Sequence, residues 1–220
     1  METRLDGMAI GSGDALLVVD LQRDFLPGGA LTVRGGDEIV PLVNDYVQHF
    51  AQHRRPVYAT RDWHPPGHCS FQPAGPWPAH CVAGTSGAAF ARDLVLTPGT
   101  IVVSKAHEQA RDAYSGFAGT SLERHLRAAG IRRLFVAGLA TDYCVLHTVE
   151  DALALGLAVV LLLDAVRAVD LQPGDGAAAI ARMCALGART ATRADLLVRA
   201  APGAAAGPLR HVNAASATLT

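Results

Sequence analysis

Five short runs of this chain are apolar at almost every position: ALLVVD (residues 15–20), PVYATRD (56–62), TIVVSK (100–105), RLFVAG (133–138) and LAVVLLLD (157–164). A strand with one wet face alternates apolar and polar side chains, so runs without alternation predict strands covered on both faces, as in parallel sheets. Between the runs, helical periodicity predicts helices over 36–53, 120–129, 141–155 and 174–186. Strand and helix thus alternate as repeated βαβ units, and the expected fold is α/β, with an open, doubly wound, mostly parallel sheet.

The rhythm breaks at 63–99, a stretch rich in Pro, Gly, His and Cys and without any period. A loop of that length is either functional or disordered, and its two tryptophans and clustered histidines argue for function. The last stretch, APGAAAGPLRHVNAASATLT, is low in complexity and expected outside the core. The expected organisation is one domain over 1–200, with a site-forming loop at about 62–99, and a low-complexity tail over 201–220.

Of the 220 residues, 50% are hydrophobic and 18% charged, which excludes an intrinsically disordered chain. A formal net charge of -1 leaves no electrostatic footprint for nucleic acid or an anionic membrane. METRLDGMAIGSGD lacks the apolar core of a secretion signal, and the apolar stretch LAVVLLL is far short of the roughly 20 residues a bilayer span needs. A cytoplasmic protein without a membrane segment is expected. Cys69, Cys81, Cys144 and Cys184 form no CxxC pair and are too sparse for a disulfide scaffold, so they read as thiols.

In open α/β sheets, ligands sit outside the carboxyl ends of the strands. Asp20 ends the first run, Lys105 ends the third, and Cys144 lies just past the fourth, in GLATDYC at a helix start. With Thr141 as N-cap, Cys144 falls in the first helical turn, where backbone N–H groups and the helix dipole favour a thiolate. The ordinary alternative is a cysteine serving as a small buried hydrophobe, the reading taken for Cys184 on an apolar helix face. Lys105 is the only lysine among 19 basic residues, which suggests a place that needs a compact ammonium and not a guanidinium fork. Asp20 could merely cap a turn, but period two puts it on one face with Gln22, leaving Asp24 to tie the loop down locally. No Gly-rich phosphate loop accompanies these residues.

The long loop begins with Asp62, His64 and His68 in RDWHPPGHCSF and returns with His80 in PWPAHC. A carboxylate and two imidazoles with further positions open suit Zn, Fe or Mn in a functional site, with His68 either an extra ligand or an outer partner. The rival is a closed structural zinc site of Cys69, Cys81, His64 and His80, although that spacing fits no familiar zinc finger.

In this order, VVDLQRDFLPGGAL, DWHPPGHCSF, WPAHCVAGTSGAAF and GLATDYCVLHTVEDAL resemble the motifs of the nicotinamidases among the isochorismatase-like cysteine hydrolases, over about residues 16–190. The resemblance implies a three-layer α/β/α, Rossmann-like fold. It implies a catalytic triad of Asp20, Lys105 and Cys144, an oxyanion hole from the N–H groups of Ala140 and Cys144, and a cis peptide between Leu139 and Ala140. One divalent metal would be held by Asp62, His64 and His80, Zn first, with Fe or Mn as alternatives. Phe25, Trp77 and Tyr114 would flank a ring, Tyr143 stands where some relatives carry His, and Gln22 and His68 would support the site from behind. The implied activity is hydrolysis of the carboxamide C–N bond of nicotinamide through a Cys thioester, giving nicotinate and ammonia in NAD salvage, with no nucleotide cofactor. The expected partner is a small-molecule amide, and a homo-oligomer stays open. Two alternatives remain: an amidase of the same superfamily acting on pyrazinamide-like, ureido or biuret-type amides, and a non-catalytic metal-binding module.

Overall fold

The computed structural model describes residues 9–196. Among them six strands, β1 (Asp14–Val19), β2 (Val57–Asp62), β3 (Ile101–Lys105), β4 (Arg133–Leu139), β5 (Ala158–Arg167) and β6 (Arg189–Ala191), form one parallel sheet in the order β3-β2-β1-β4-β5-β6. The helices are α1 (Val40–Gln52), α2 (Leu122–Ala128), α3 (Leu146–Ala154), α4 (Asp175–Ala185) and the short α5 (Arg193–Leu196).

β1 shows why the strands lack alternation. Successive side chains point to opposite faces, and both faces are covered. Leu16 and Val18 enter one core layer with Tyr46 and Phe50 of α1, while Ala15, Leu17 and Val19 enter the other with Leu122 and Leu126 of α2, Val149 of α3 and Met183 of α4. Helix α1 buries Val43, Tyr46, Val47 and Phe50, the i, i+3, i+4, i+7 stripe of an amphipathic helix. Its Phe50 meets Phe135 of β4 edge-on at 5.2 Å, and its Tyr46 hydroxyl donates to Asp164 of β5 at 2.8 Å. Each such large side chain contributes about 1.5–3 kcal/mol by leaving water.

From β1 the chain winds outward through β2 to β3, then returns to lay β4 on the other side of β1 and winds outward again. The direction of winding reverses between β1 and β4, which leaves a crevice at their carboxyl ends. Gly138, at φ 119°, lets β4 run close there, because a Cβ would collide with the Val19 main chain.

Several local expectations need correction. β6 and α5 were not expected, since RTA is too short to show a period. The helix expected over 141–155 is divided into a wide π turn, Thr141–Val145, and α3. Its N-cap is the extended Ala140 and not Thr141: the turn is closed by the main chain, with the Val145 N–H donating to the Ala140 carbonyl at 3.0 Å, and no side-chain cap forms. Cys184 is exposed and not buried, because α4 turns Gly176, Ala179 and Met183 inward and Cys184 lies about 100° further round. No helix among the described residues is long and apolar enough to cross a membrane. The tail expected at 201–220 lies outside the described residues.

Candidate active site

Three strand ends meet at the crevice. Asp20 follows β1 at φ 45°, so the strand stops at Val19 and the expected shared face with Gln22 does not arise. The Asp20 Oδ1 accepts the Thr60 hydroxyl of β2 at 2.7 Å, and its Oδ2 lies 3.0 Å from the Lys105 ammonium. Register places Lys105, the last residue of β3, directly beside Asp62, the last residue of β2. Fully buried, its ammonium lies 2.5 Å from the Asp62 Oδ1, donates to the Ala113 carbonyl at 3.1 Å, and sits 3.4 Å from the Cys144 sulfur. Cys144 reaches this point from the π turn.

The charges are mutually dependent. Burial opposes the Lys105 charge, but the carboxylates of Asp20 and Asp62 outweigh it and hold the ammonium pKa well above the ordinary lysine value. Burial raises Asp20 to about 6, against the pull of Lys105. For Asp62, burial also pushes upward, but Lys105 and His64 prevail and its pKa falls below the usual carboxylate value. Burial lifts the Cys144 thiol well above its ordinary value, with Lys105 opposing. Desolvation thus works against the thiolate that the helix start favours and outweighs the cation, keeping the proton on sulfur. Such a thiol needs a base, and Asp20 is the adjacent carboxylate with an elevated affinity for a proton.

The second centre joins the first through Asp62. Ligand atoms of Asp62, His64 and His80 lie within 4.8 Å of one another. The His64 Nδ1 faces the Ala106 carbonyl at 3.3 Å and the His80 Nδ1 faces the Pro78 carbonyl at 2.8 Å, contacts that put the protons on Nδ1 and leave both Nε2 lone pairs available. The His64 Nε2 is buried without a hydrogen-bond partner, 3.8 Å from the Asp62 Oδ2. Burial lowers the His64 pKa to about 4, which keeps the ring neutral as a metal ligand must be. An orphaned buried imidazole nitrogen facing a carboxylate fits a divalent cation. His68 is differently employed: its Nδ1 contacts the Ser70 hydroxyl at 2.7 Å, its Nε2 faces the Arg111 carbonyl at 3.1 Å, and its ring packs on His64 at 4.3 Å. It buttresses His64, and of the two roles left open for it the outer one fits. Asp20, Asp62 and Cys144 also cluster, but the Lys105 ammonium already fills the role of cation among them. The rival four-residue zinc site fails to assemble: Cys81 and Cys69 join neither cluster found among the described residues.

Several supports were missed or only partly foreseen. The Gln22 side chain clamps the main chain of Asp62 from both sides, accepting its N–H at 2.7 Å and donating to its carbonyl at 2.8 Å, with a further bond to the Ala88 carbonyl at 2.9 Å. Asp24 accepts the Ala30 N–H at 3.3 Å, the local tie expected, but also the Cys81 N–H at 2.7 Å, next to His80. The polar stretch after β3 offers carbonyls of Ala106, Gln109, Arg111 and Ala113 to His64, the Cys69 N–H, His68 and Lys105. Asp20, Cys81 and Ala106 are all non-glycine residues in the left-handed region, at φ 45°, 46° and 53°. Such strain of about 1–3 kcal/mol each collects at sites that need a particular backbone direction. The Leu139–Ala140 peptide is cis.

Between the two centres opens a narrow cleft lined by Phe25, Trp77, Tyr114 and Tyr143 together with Ala140, Cys144, Asp62 and His80. All four aromatics singled out from the sequence therefore face one space. They brace one another: the Trp77 indole N–H donates to the Tyr114 hydroxyl at 3.1 Å, and Tyr143 meets Trp77 edge-on at 5.2 Å.

The nicotinamidase of Escherichia coli is 40% identical over 203 residues, 82% of this chain and 95% of that protein. The crystal structure of a pyrazinamidase of Pyrococcus horikoshii in complex with zinc is similar with a TM-score of 0.79 at 46% identity, covering 82% of this chain and 99% of that one. That of PnC1 from L. infantum in complex with nicotinate also has a TM-score of 0.79, at 36% identity, with 86% and 97% covered. The Isochorismatase domain matches residues 14–195, nearly the whole described sheet and its helices, and the chain belongs to that family.

Proposed function

We propose that this protein is a nicotinamidase, hydrolysing nicotinamide to nicotinate and ammonia in the salvage of pyridine nucleotides. The observation that carries the reading is the shared use of Lys105: one buried ammonium touches Asp20, Asp62 and Cys144, tying a nucleophile–base pair to a candidate metal centre beside a cleft walled by aromatic side chains. The likeness to nicotinamidases and pyrazinamidases supports it.

In this reading Asp20 accepts the Cys144 proton as the sulfur attacks the carboxamide carbon, and Lys105 balances the charge that develops. The N–H groups of Ala140 and Cys144 receive the oxyanion, a contribution of about 3 kcal/mol per donor in comparable acyl transfers. Among the described residues the Ala140 N–H has no acceptor, as a donor kept for substrate should. Asp20 returns its proton to the departing nitrogen, releasing ammonia. Water, deprotonated by Asp20, then cleaves the thioester, giving nicotinate and restoring the thiol. Asp62, His64 and His80 would hold one divalent metal, for which Zn is the first candidate and Fe or Mn the alternatives. Bound there, the metal would supply a Lewis-acid anchor for a ring nitrogen. Phe25, Trp77, Tyr114 and Tyr143 would flank the ring, while Gln22 holds Asp62 and His68 supports His64. No nucleotide cofactor takes part.

Chromatographic detection of nicotinate, with stoichiometric ammonia, tests the assignment on metal-replete protein. Pyrazinamide, whose ring nitrogen lies in the same place, should be hydrolysed too. Absence of product from both would overturn the reading.

A further inference from the structure

Asp142 immediately precedes Tyr143 and Cys144 on the π turn, yet its carboxylate serves a different segment. Its Oδ1 accepts the Val169 N–H and its Oδ2 accepts the Asp170 N–H, each at 2.9 Å. Asp170 is left-handed at φ 52°, and its own Oδ1 accepts the Gly176 N–H in the first turn of α4 at 2.8 Å. These bonds fix the start of the loop between β5 and α4. Residues 170–174 are exposed, so the rest of the loop does not press Val169 into place. Val169 nevertheless lines the cleft with Ala140, Tyr143 and Cys144. The turn that carries the nucleophile therefore also sets the position of the wall beside it.

From this geometry we infer that Asp142 is a positioning residue which, through Val169, sets the width of the cleft and restricts the substrate to amides of rings without a substituent on that side. The inference rests on the amidase reading above and deepens it. The physical basis is that charge-assisted bonds to two successive main-chain N–H groups are strong and directional. They hold a β-branched side chain whose rotamers are few, which makes a stiff wall. Trimming Val169 to Ala removes two methyl groups from an apolar lining. One methylene in such a pocket changes discrimination by roughly 10–200-fold.

The test compares kcat and KM for nicotinamide and for a panel of ring-methylated nicotinamides, in metal-replete wild type, Val169→Ala, Asp142→Asn and Asp142→Ala. Val169→Ala should raise kcat/KM for at least one methylated isomer relative to nicotinamide by about 10-fold or more. Asp142→Ala should shift selectivity toward the same isomer, chiefly through KM, and Asp142→Asn, which keeps one acceptor oxygen, should fall between. A merely structural Asp142 would lower every substrate in equal proportion together with the melting temperature. Should Asp142→Ala fail to fold, Val169→Ala and Asp142→Asn decide the matter. Ratios that move less than about 2-fold in both, well under one methylene's worth, would overturn the inference. Wild-type protein that hydrolyses none of these amides would overturn the amidase reading itself, a result that cannot be confused with unchanged selectivity.

Discussion

Replacing Lys105 with arginine keeps the charge and changes only its shape, so the consequence follows from the contacts. The ammonium sits 2.5 Å from Asp62, 3.0 Å from Asp20, 3.1 Å from the Ala113 carbonyl and 3.4 Å from the Cys144 sulfur, with no exposure to water. A planar fork cannot put one nitrogen at all four points, and at least one contact must lengthen by on the order of 1 Å, a displacement that can cost roughly 100-fold in rate. Lys105→Arg should therefore lower kcat for nicotinamide by about 100-fold or more. Lys105→Met goes further, leaving two buried carboxylates without their cation at a cost of about 3–5 kcal/mol. In a domain of this size that is a melting temperature lower by roughly 6–20 °C. Ammonia release reads the first effect and thermal unfolding the second. Near-wild-type turnover in the arginine variant, with a melting temperature unchanged in the methionine variant, would refute the reasoning that makes this ammonium the link between the two centres.

Chelation should abolish nicotinamide turnover and leave the far-ultraviolet circular dichroism largely native, because His64 and His80 lie in a loop beside the crevice and Asp62 only at the end of β2; His64→Ala and His80→Ala should likewise lose bound metal, and melting of the whole domain on chelation would show a structural site instead. Gln22→Ala removes the clamp on the Asp62 main chain and should weaken metal affinity about 10–100-fold in a competition titration, an effect that would be absent if Gln22 only filled space. Phe50→Ala empties the contact between α1 and β4 and should destabilise by about 3–5 kcal/mol in urea unfolding, with a loss under about 1 kcal/mol contradicting the placement of the core.

The sheet was legible because its inner strands are covered on both faces, which leaves a mark of continuous apolar residues in ALLVVD and RLFVAG that no other element imitates at that length, whereas TIVVSK forms the edge strand and leaves Val102 exposed. Asp20, Lys105 and Cys144 were legible because a parallel strand has an unambiguous carboxyl end. Asp62, His64 and His80 stood out by donor chemistry within an otherwise aperiodic loop. The resemblance, not the pattern, supplied the cis peptide and the choice of ring-binding aromatics. What stayed hidden depends on contacts between distant segments. Nothing in the local sequence says that Gln22 bonds to the main chain of Asp62 or that Asp142 reaches across to Val169. The burial of Cys144 was hidden for a related reason: the helix start that favours a thiolate was visible, but the desolvation that opposes it was not.

The central claim is that Cys144 carries the acyl group of the substrate. Rapid acid quenching of metal-replete protein during turnover of nicotinamide, followed by peptide mass spectrometry, tests it most directly. The account predicts a nicotinoyl thioester on the peptide containing Cys144, lost on treatment with hydroxylamine and absent from Cys144→Ala, which should also release no ammonia. Turnover that persists in Cys144→Ala, or acylation found on another residue, would contradict it.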